Sequence, residues 1–203
     1  GDIDLVIGNL GLNSYIKASP EQPARLYVHD FGQTGTLKQI LTTYRHGVSH
    51  PVAGRDEIVA AIPSTRSKFP TYASFGAARI EDLVPASELR PATILEAVTF
   101  ASSVAINDGN GFRVLPLPLE AQFAPVYAAA TRDFDGDGRI DILLGGNFSG
   151  VTPTRGTYDA SHGLLLRGDR RGTFLPVDMH RSGIGVSGEV RDIEVVRTAR
   201  GPA

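Results

Sequence analysis

Cysteine is absent from all 203 residues. That excludes a disulfide framework and any cysteine-ligated metal, and it leaves the redox compartment unread. No run of about 18 apolar residues occurs, so no helix is expected to span a membrane. Charge of one sign is not in excess, with 20 basic against 22 acidic residues and a formal net charge of −2. That balance gives no footing for nucleic acid or an anionic membrane surface as partner. No phosphate cradle stands between a predicted strand and a helix, and no G-x-S-x-G elbow presents a nucleophilic serine. His46 and His50 have the spacing of a zinc-binding helix. They lack the glutamate of H-E-x-x-H, enclose Gly47 and precede Pro51, so a zinc site is not expected there. Asp159, Ser161 and His162 are too close in sequence to meet as a hydrolytic triad and read as a turn.

The chain does have turns and a core. There are 23 glycines and 13 prolines, which favour many short strands over long helices, and 41% of residues are apolar. Within that background one stretch concentrates acid: Asp133-Phe134-Asp135-Gly136-Asp137-Gly138-Arg139-Ile140-Asp141. Carboxylates fall at positions 1, 3, 5 and 9, and Gly138 at position 6 permits a sharp turn. A hard cation such as calcium takes six to eight oxygens, and this loop can offer most of them. The candidate ligands are Asp133, Asp135, Asp137 and Asp141, with the backbone carbonyl of Arg139 at position 7 and its side chain expected in water. An EF-hand needs a glutamate at position 12 and flanking helices. Position 12 is Leu144, and residues 140–144 read as a short buried strand before Gly145-Gly146. Residues 126–131 read as a strand on the other side, so a strand–loop–strand site is expected.

The motif recurs. Gly1-Asp2-Ile3-Asp4-Leu5-Val6-Ile7-Gly8-Asn9 copies the second half of the loop and the strand after it. Because the chain opens in mid-motif, it is expected to be a piece of a longer polypeptide. Residues 26–29 read as a strand leading into Asp30-Phe31-Gly32-Gln33-Thr34-Gly35-Thr36-Leu37-Lys38, where Gly32, Thr34 and Lys38 replace three of the carboxylates. This loop is expected to keep its shape without a metal. Two placements of Lys38 remain open: its ammonium in the cation's position, paired with Asp30, or in solvent. Two turn clusters, at residues 107–112 and 168–174, each precede an apolar strand and follow another, as hairpins do. Residues 190–196 alternate apolar and polar as a final strand candidate. Repetition at tens of residues in short strands means a solenoid or a propeller, and four-stranded blades are the expected solution.

Residues from about 53 to 100 break the pattern and are expected to form a helical insertion. A helix over 55–62 is stopped by Pro63, Ser64 is a candidate cap for a turn through Phe69, and residues 80–84 and 87–89 suggest two more turns. Arg167-Gly168-Asp169 spells a tripeptide recognised by integrins, at an expected hairpin, although a turn demands glycine and aspartate in any case.

The loop and its following strand resemble the FG-GAP/VCBS repeats, the calcium-binding repeats of integrin-α-type β-propellers. Asp133 to Asp141 matches that loop residue by residue. Gly145-Gly146-Asn147-Phe148, Tyr158-Asp159-Ala160-Ser161-His162-Gly163-Leu164 and Leu41-Thr42-Thr43-Tyr44-Arg45 are similar to the bacterial branch related to cartilage acidic protein, which often carries an ASPIC/UnbV module. The resemblance implies a mainly β fold and a partial β-propeller: blade portions over 1–52 and 101–203, with the helical insertion at 53–100. It implies bound Ca²⁺ and an extracellular, cell-surface or periplasmic location. The expected function is a non-enzymatic scaffold for adhesion or for binding an unidentified protein or glycan ligand, completed by the rest of a longer propeller chain or by self-association. The alternative is a propeller domain of an extracellular hydrolase or lyase acting on glycans.

Overall fold

The structure is a computed structural model describing residues 3–152, 155–169, 172–198 and 201–202. Short runs between turn residues form the strands, and burial alternates residue by residue along Val126–Arg132. Leu5–Ile7 (β1), Ser103–Asn107 (β6) and Phe112–Pro116 (β7) make a three-stranded antiparallel sheet in the order β1-β6-β7. Val126–Arg132 (β8), Asp141–Gly146 (β9), Leu164–Gly168 (β10) and Phe174–Val177 (β11) make a four-stranded antiparallel meander in chain order. Ala24–His29 (β2), Lys38–Arg45 (β3), Val48–Pro51 (β4) and Thr93–Ala97 (β5) make a second four-stranded sheet, ordered β4-β3-β2-β5. Arg197–Thr198 (β12) and Gly201–Pro202 (β13) form a two-stranded ribbon. The mainly β architecture with antiparallel sheets is therefore as expected, and the described sheets do not close on themselves. No helix among the described residues is long and apolar enough to cross a membrane.

Contacts divide the chain into two units, Tyr15–Thr99 and the remainder, Gly1–Ser14 with Phe100–Ala203. The insertion thus differs from the expected 53–100: β2, β3 and β4 lie on the same side of the boundary as the helices. The physical reason is long-range pairing, since Ala24 to Val28 of β2 lie opposite Ala97 to Thr93 of β5. The segment also carries the strand β5, in a stretch expected to be helical and irregular. Its helices are Arg55–Ala61 (α1), Thr65–Lys68 (α2), Tyr72–Gly76 (α3), Ile80–Leu83 (α4) and Ala86–Leu89 (α5). Ser64 stands at the N-cap of α2 but makes no capping bond with its side chain. Thr71 instead caps α3 in a reciprocal pair with Ser74. One core joins sheet and helices through Tyr27, Phe31, Ile40, Ile58, Ile80 and Leu83.

In the other unit the three-stranded sheet and the meander share a second core. Val104 and Leu117 pack there with Ile142, Leu144 and Leu166, and Val6, Ile106 and Leu115 lie against them. The two sheets also repeat each other in register. Leu5 opposes Ala105 as Ile142 opposes Leu166, and Asn107 opposes Phe112 as Gly168 opposes Phe174. Past each second strand the chain is crossed in the same way. The Val126 N–H donates to the Asn9 carbonyl at 2.9 Å, and the Val190 N–H to the Gly146 carbonyl at 2.7 Å. Residues 190–196 thus stand where β8 stands one repeat earlier. They form no ladder with any described strand, in contrast to the strand expected there, because no described strand equivalent to β9 lies beside them. Met179–Ser182 (α6) lies between β11 and this segment.

Leu166 is fully buried at the centre of this core. Leu166→Ala is expected to cost about 2–5 kcal/mol in denaturant unfolding, as large-to-small changes in close-packed cores do. A cost below about 1 kcal/mol would mean the two sheets are not packed through this face.

Candidate metal centre

Strand pairing builds the loop. Arg132 at the end of β8 lies opposite Asp141 at the start of β9, so the ends of the acidic stretch are held in register. Gly136 and Gly138 have φ of 77° and 81°, where a Cβ would be strained. These two reversals turn successive N–H groups inward. Asp133 accepts from the Gly136 and Asp137 N–H groups through Oδ1, at 2.7 and 3.1 Å, and from Gly138 through Oδ2 at 2.9 Å. The Gly138 N–H foremost, with those of Gly136 and Asp137, outweighs desolvation and holds the Asp133 carboxyl below the usual aspartate range.

Asp141 is 1% exposed and ties three segments together. Its Oδ2 accepts from the Phe134 N–H and its Oδ1 from the Gly168 N–H on β10, both at 3.0 Å. Ligand oxygens of Asp133, Asp135 and Asp141 all lie within 4.8 Å of one another. This cluster can hold a metal ion, and its donors are hard oxygens, which suit calcium or magnesium better than zinc.

Two predicted ligands stand differently. The Asp137 carboxylate is turned aside: Oδ1 accepts from the Arg139 N–H at 3.0 Å, and Oδ2 meets the guanidinium groups of Arg139 and Arg167. The Arg139 side chain, expected in water, is 27% exposed and also donates from Nε to the Gly168 carbonyl at 3.0 Å. Concentrated negative charge accounts for this, because a guanidinium beside the carboxylates lowers their mutual repulsion. Arg167 does the same from β10, with Nε 3.0 Å from an Asp135 oxygen.

Sequence reasoning missed Arg167 and Gly168 as partners of the loop. One signal is the need for glycine at 168, where a Cβ would lie 2.1 Å from the Ile140 carbonyl oxygen. The integrin-type tripeptide is not freely presented. Arg167 is held by the loop, Gly168 is buried, and Asp169 accepts from the Thr173 N–H at 2.8 Å within its turn.

The other two copies keep parts of this geometry. Asp4 Oδ1 accepts from the Asn107 N–H at 2.8 Å, the counterpart of Asp141 and Gly168. Asp30 accepts from the Thr34 and Gly35 N–H groups at 2.8 and 2.7 Å, matching Asp133 with Asp137 and Gly138. Gln33 and Gly35 take the positive φ of the two loop glycines, at 53° and 77°. Desolvation raises the Asp30 pKa, but the N–H donors of Gly35 and Thr34 and the Thr34 hydroxyl together hold it below the usual range. Lys38 occupies the position of Asp141. Its Nζ donates to the Phe31 carbonyl at 2.8 Å and to Thr34 Oγ1 at 2.9 Å. The ammonium therefore sits among loop oxygens rather than in solvent, while the Asp30 carboxylate is taken by N–H donors.

The remaining motifs resolve simply. His46 lies in the turn between β3 and β4 with φ of 51°, and His50 Nδ1 is 3.0 Å from the Ala78 carbonyl. Asp159 accepts from the Thr157 hydroxyl, and the Ser161 N–H donates to Asn147 Oδ1, so these residues shape a turn. Gly183 to Gly188 spell G-x-G-x-x-G, but they follow α6 and open no helix.

A scan against protein-family models found no match, and searches of curated proteins and of solved structures found none either.

The lowered Asp133 value has a pH consequence. A carboxyl depressed on folding contributes stability above its unfolded value, and that stability is lost as pH falls through the folded one. Melting temperature in chelator is expected to fall on acidification below about pH 4, and Asp133→Asn to flatten part of that fall. An unchanged profile would remove Asp133 as the loop's anchor. Lys38→Ala is expected to cost about 1–2 kcal/mol in denaturant unfolding, as charged hydrogen bonds do. No change would place the ammonium in solvent.

Proposed function

We propose that this chain is part of a calcium-stabilised β-propeller serving as a non-enzymatic scaffold for an extracellular protein or glycan ligand. The observation that carries the reading is the convergence of Asp133, Asp135 and Asp141 in a turn between two paired strands. The repeat supports it, since Asp4 makes the same bond to β6 that Asp141 makes to β10. The resemblance to FG-GAP/VCBS repeats adds the architecture, and with it a cell-surface, secreted or periplasmic setting.

In this reading the ion is structural. Asp133, Asp135 and Asp141 supply carboxylate oxygens, with the Arg139 carbonyl beside them, and Asp137 joins the set only on leaving Arg139 and Arg167. Calcium suits such a loop better than magnesium because it accepts irregular geometry and more oxygens. The ion neutralises the acidic cluster and orders the turn joining β8 to β9, so binding and folding are coupled. Arg139 and Arg167 serve as the partial counter-charge without the ion. The ligand surface is then set by loops on rigid strands.

Calorimetric titration of the chelator-stripped chain is expected to show one calcium site. A calcium excess of about a hundredfold over Kd is expected to add about 2.7 kcal/mol of stability. Asp135→Ala is expected to weaken binding by roughly tenfold or more and to lower the melting temperature in calcium but not in chelator. Equal loss in both conditions, or no binding heat from folded protein, would contradict the calcium role.

A further inference from the structure

The four carboxylates of the acidic loop are held by two kinds of donor. Asp133 and Asp141 are held by backbone N–H groups, those of Gly136, Asp137 and Gly138 at Asp133 and those of Phe134 and Gly168 at Asp141. Such donors are neutral, so they fix the oxygens and leave the negative charge in place. Asp135 and Asp137 meet full positive charges. Asp135 Oδ1 accepts from the Asp137 N–H at 3.1 Å, and its Oδ2 lies 3.0 Å from Arg167 Nε. Asp137 Oδ1 accepts from the Arg139 N–H at 3.0 Å, and its Oδ2 meets the guanidiniums of Arg139 and Arg167. Both oxygens of each of these two carboxylates are therefore engaged before any cation enters.

Neither arginine is demanded by the strands or by the turn. Asn107 opposes Phe112 as Gly168 opposes Phe174, so Arg167 corresponds by register to Ile106. Ile106 packs against an apolar core, and its strand forms without a guanidinium. At loop position 7, where the complete loop has Arg139, the other two copies have Asp2 and Thr36. The loop with Thr36 keeps its positive-φ turn and its bonds to Asp30 all the same. That loop holds a single carboxylate and draws in one ammonium, from Lys38. The loop with four carboxylates draws in two guanidiniums. Side-chain charge thus follows the acid in the loop rather than the needs of the backbone.

We infer that Arg167, together with Arg139, competes with the cation for Asp135 and Asp137 and so sets the affinity of the loop for calcium. The inference rests on the calcium reading above and adds its regulation. A guanidinium on these oxygens occupies an acceptor that the ion needs, and it repels a divalent charge doubly. Arg167 and Asp135 are 47% and 38% exposed, so solvent screens the contact. The effect is therefore a several-fold change in affinity and not an abolition of binding. In return the arginines hold the loop together when calcium is scarce.

Calorimetric titration with calcium chloride at constant ionic strength tests this on the chelator-stripped 203-residue chain and its variants. Melting curves in chelator and in saturating calcium accompany it, and circular dichroism establishes that each variant is folded. Arg167→Gln is expected to tighten calcium binding by roughly three- to tenfold. It is expected to melt below wild type in chelator and level with it in saturating calcium. Arg167→Lys is expected to return the affinity toward wild type, because the charge is what competes. Arg139→Gln keeps the position-7 carbonyl and is expected to shift affinity in the same direction as Arg167→Gln. A residue that merely shapes the loop gives the opposite sign, with Arg167→Gln losing calcium affinity and stability together. That result, or an unchanged Kd, in a protein whose wild type binds calcium would overturn the inference and leave the metal centre standing. Binding by Arg167→Gln where wild type is silent would support both. Silence from folded wild type and folded Arg167→Gln alike, up to about 10 mM calcium, would remove the calcium reading and the inference with it.

Discussion

Four carboxylates within nine residues set the central constraint on this molecule. At 4 Å a pair of like charges repels by about 4 kcal/mol under an effective dielectric of 20, so the loop can close only if that charge is compensated. The chain supplies three kinds of compensation. Inward N–H groups meet Asp133, the N–H groups of Phe134 and Gly168 meet buried Asp141, and two guanidiniums meet Asp135 and Asp137. Each requires a feature of the fold: two positive-φ glycines, a register that brings β10 beside the loop, and a glycine at 168 that admits the Ile140 carbonyl. A bound cation would replace the guanidinium contribution with a stronger one. The degenerate copy shows another solution, in which Lys38 carries its own positive charge into the loop.

Around this loop the fold is modular. One supersecondary unit is used whole as β8, the acidic loop and β9 with the hairpin β10–β11, and in part as β1 with the hairpin β6–β7, and the segment Tyr15–Thr99 departs and returns between β1 and β6. Such a unit cannot bury both faces of its sheet alone, and stacking neighbours supplies the cover. The core around Ile142 and Leu166 is that stacking realised once.

Much of this was legible locally. The acidic loop, its flanking strands and both hairpins depend on turn residues and short apolar runs, which are sequence-near signals. The truncated copy at Gly1 was legible by similarity, and its Asp4–Asn107 bond repeats that of the full loop. Long-range features were not legible. Nothing near Thr93 announces that β5 closes a sheet onto β2, so the unit boundary was expected at 53 and lies at 15. Residues 190–196 carry strand periodicity without a ladder, because strand formation requires a neighbour as well as a pattern. Arg139 was expected in solvent because its position in the loop is outward. The charge of its neighbours, spread over the fold, draws it back.

The most direct test of the metal centre is anomalous diffraction from crystals grown in calcium. The expected result is one peak inside the loop, with oxygens of Asp133, Asp135, Asp141 and the Arg139 carbonyl at about 2.3–2.6 Å. Arg167 is then expected to have moved off Asp135. A loop without a peak, with both arginines still on Asp135 and Asp137, would contradict the cation site and leave the arginines as the permanent counter-charge.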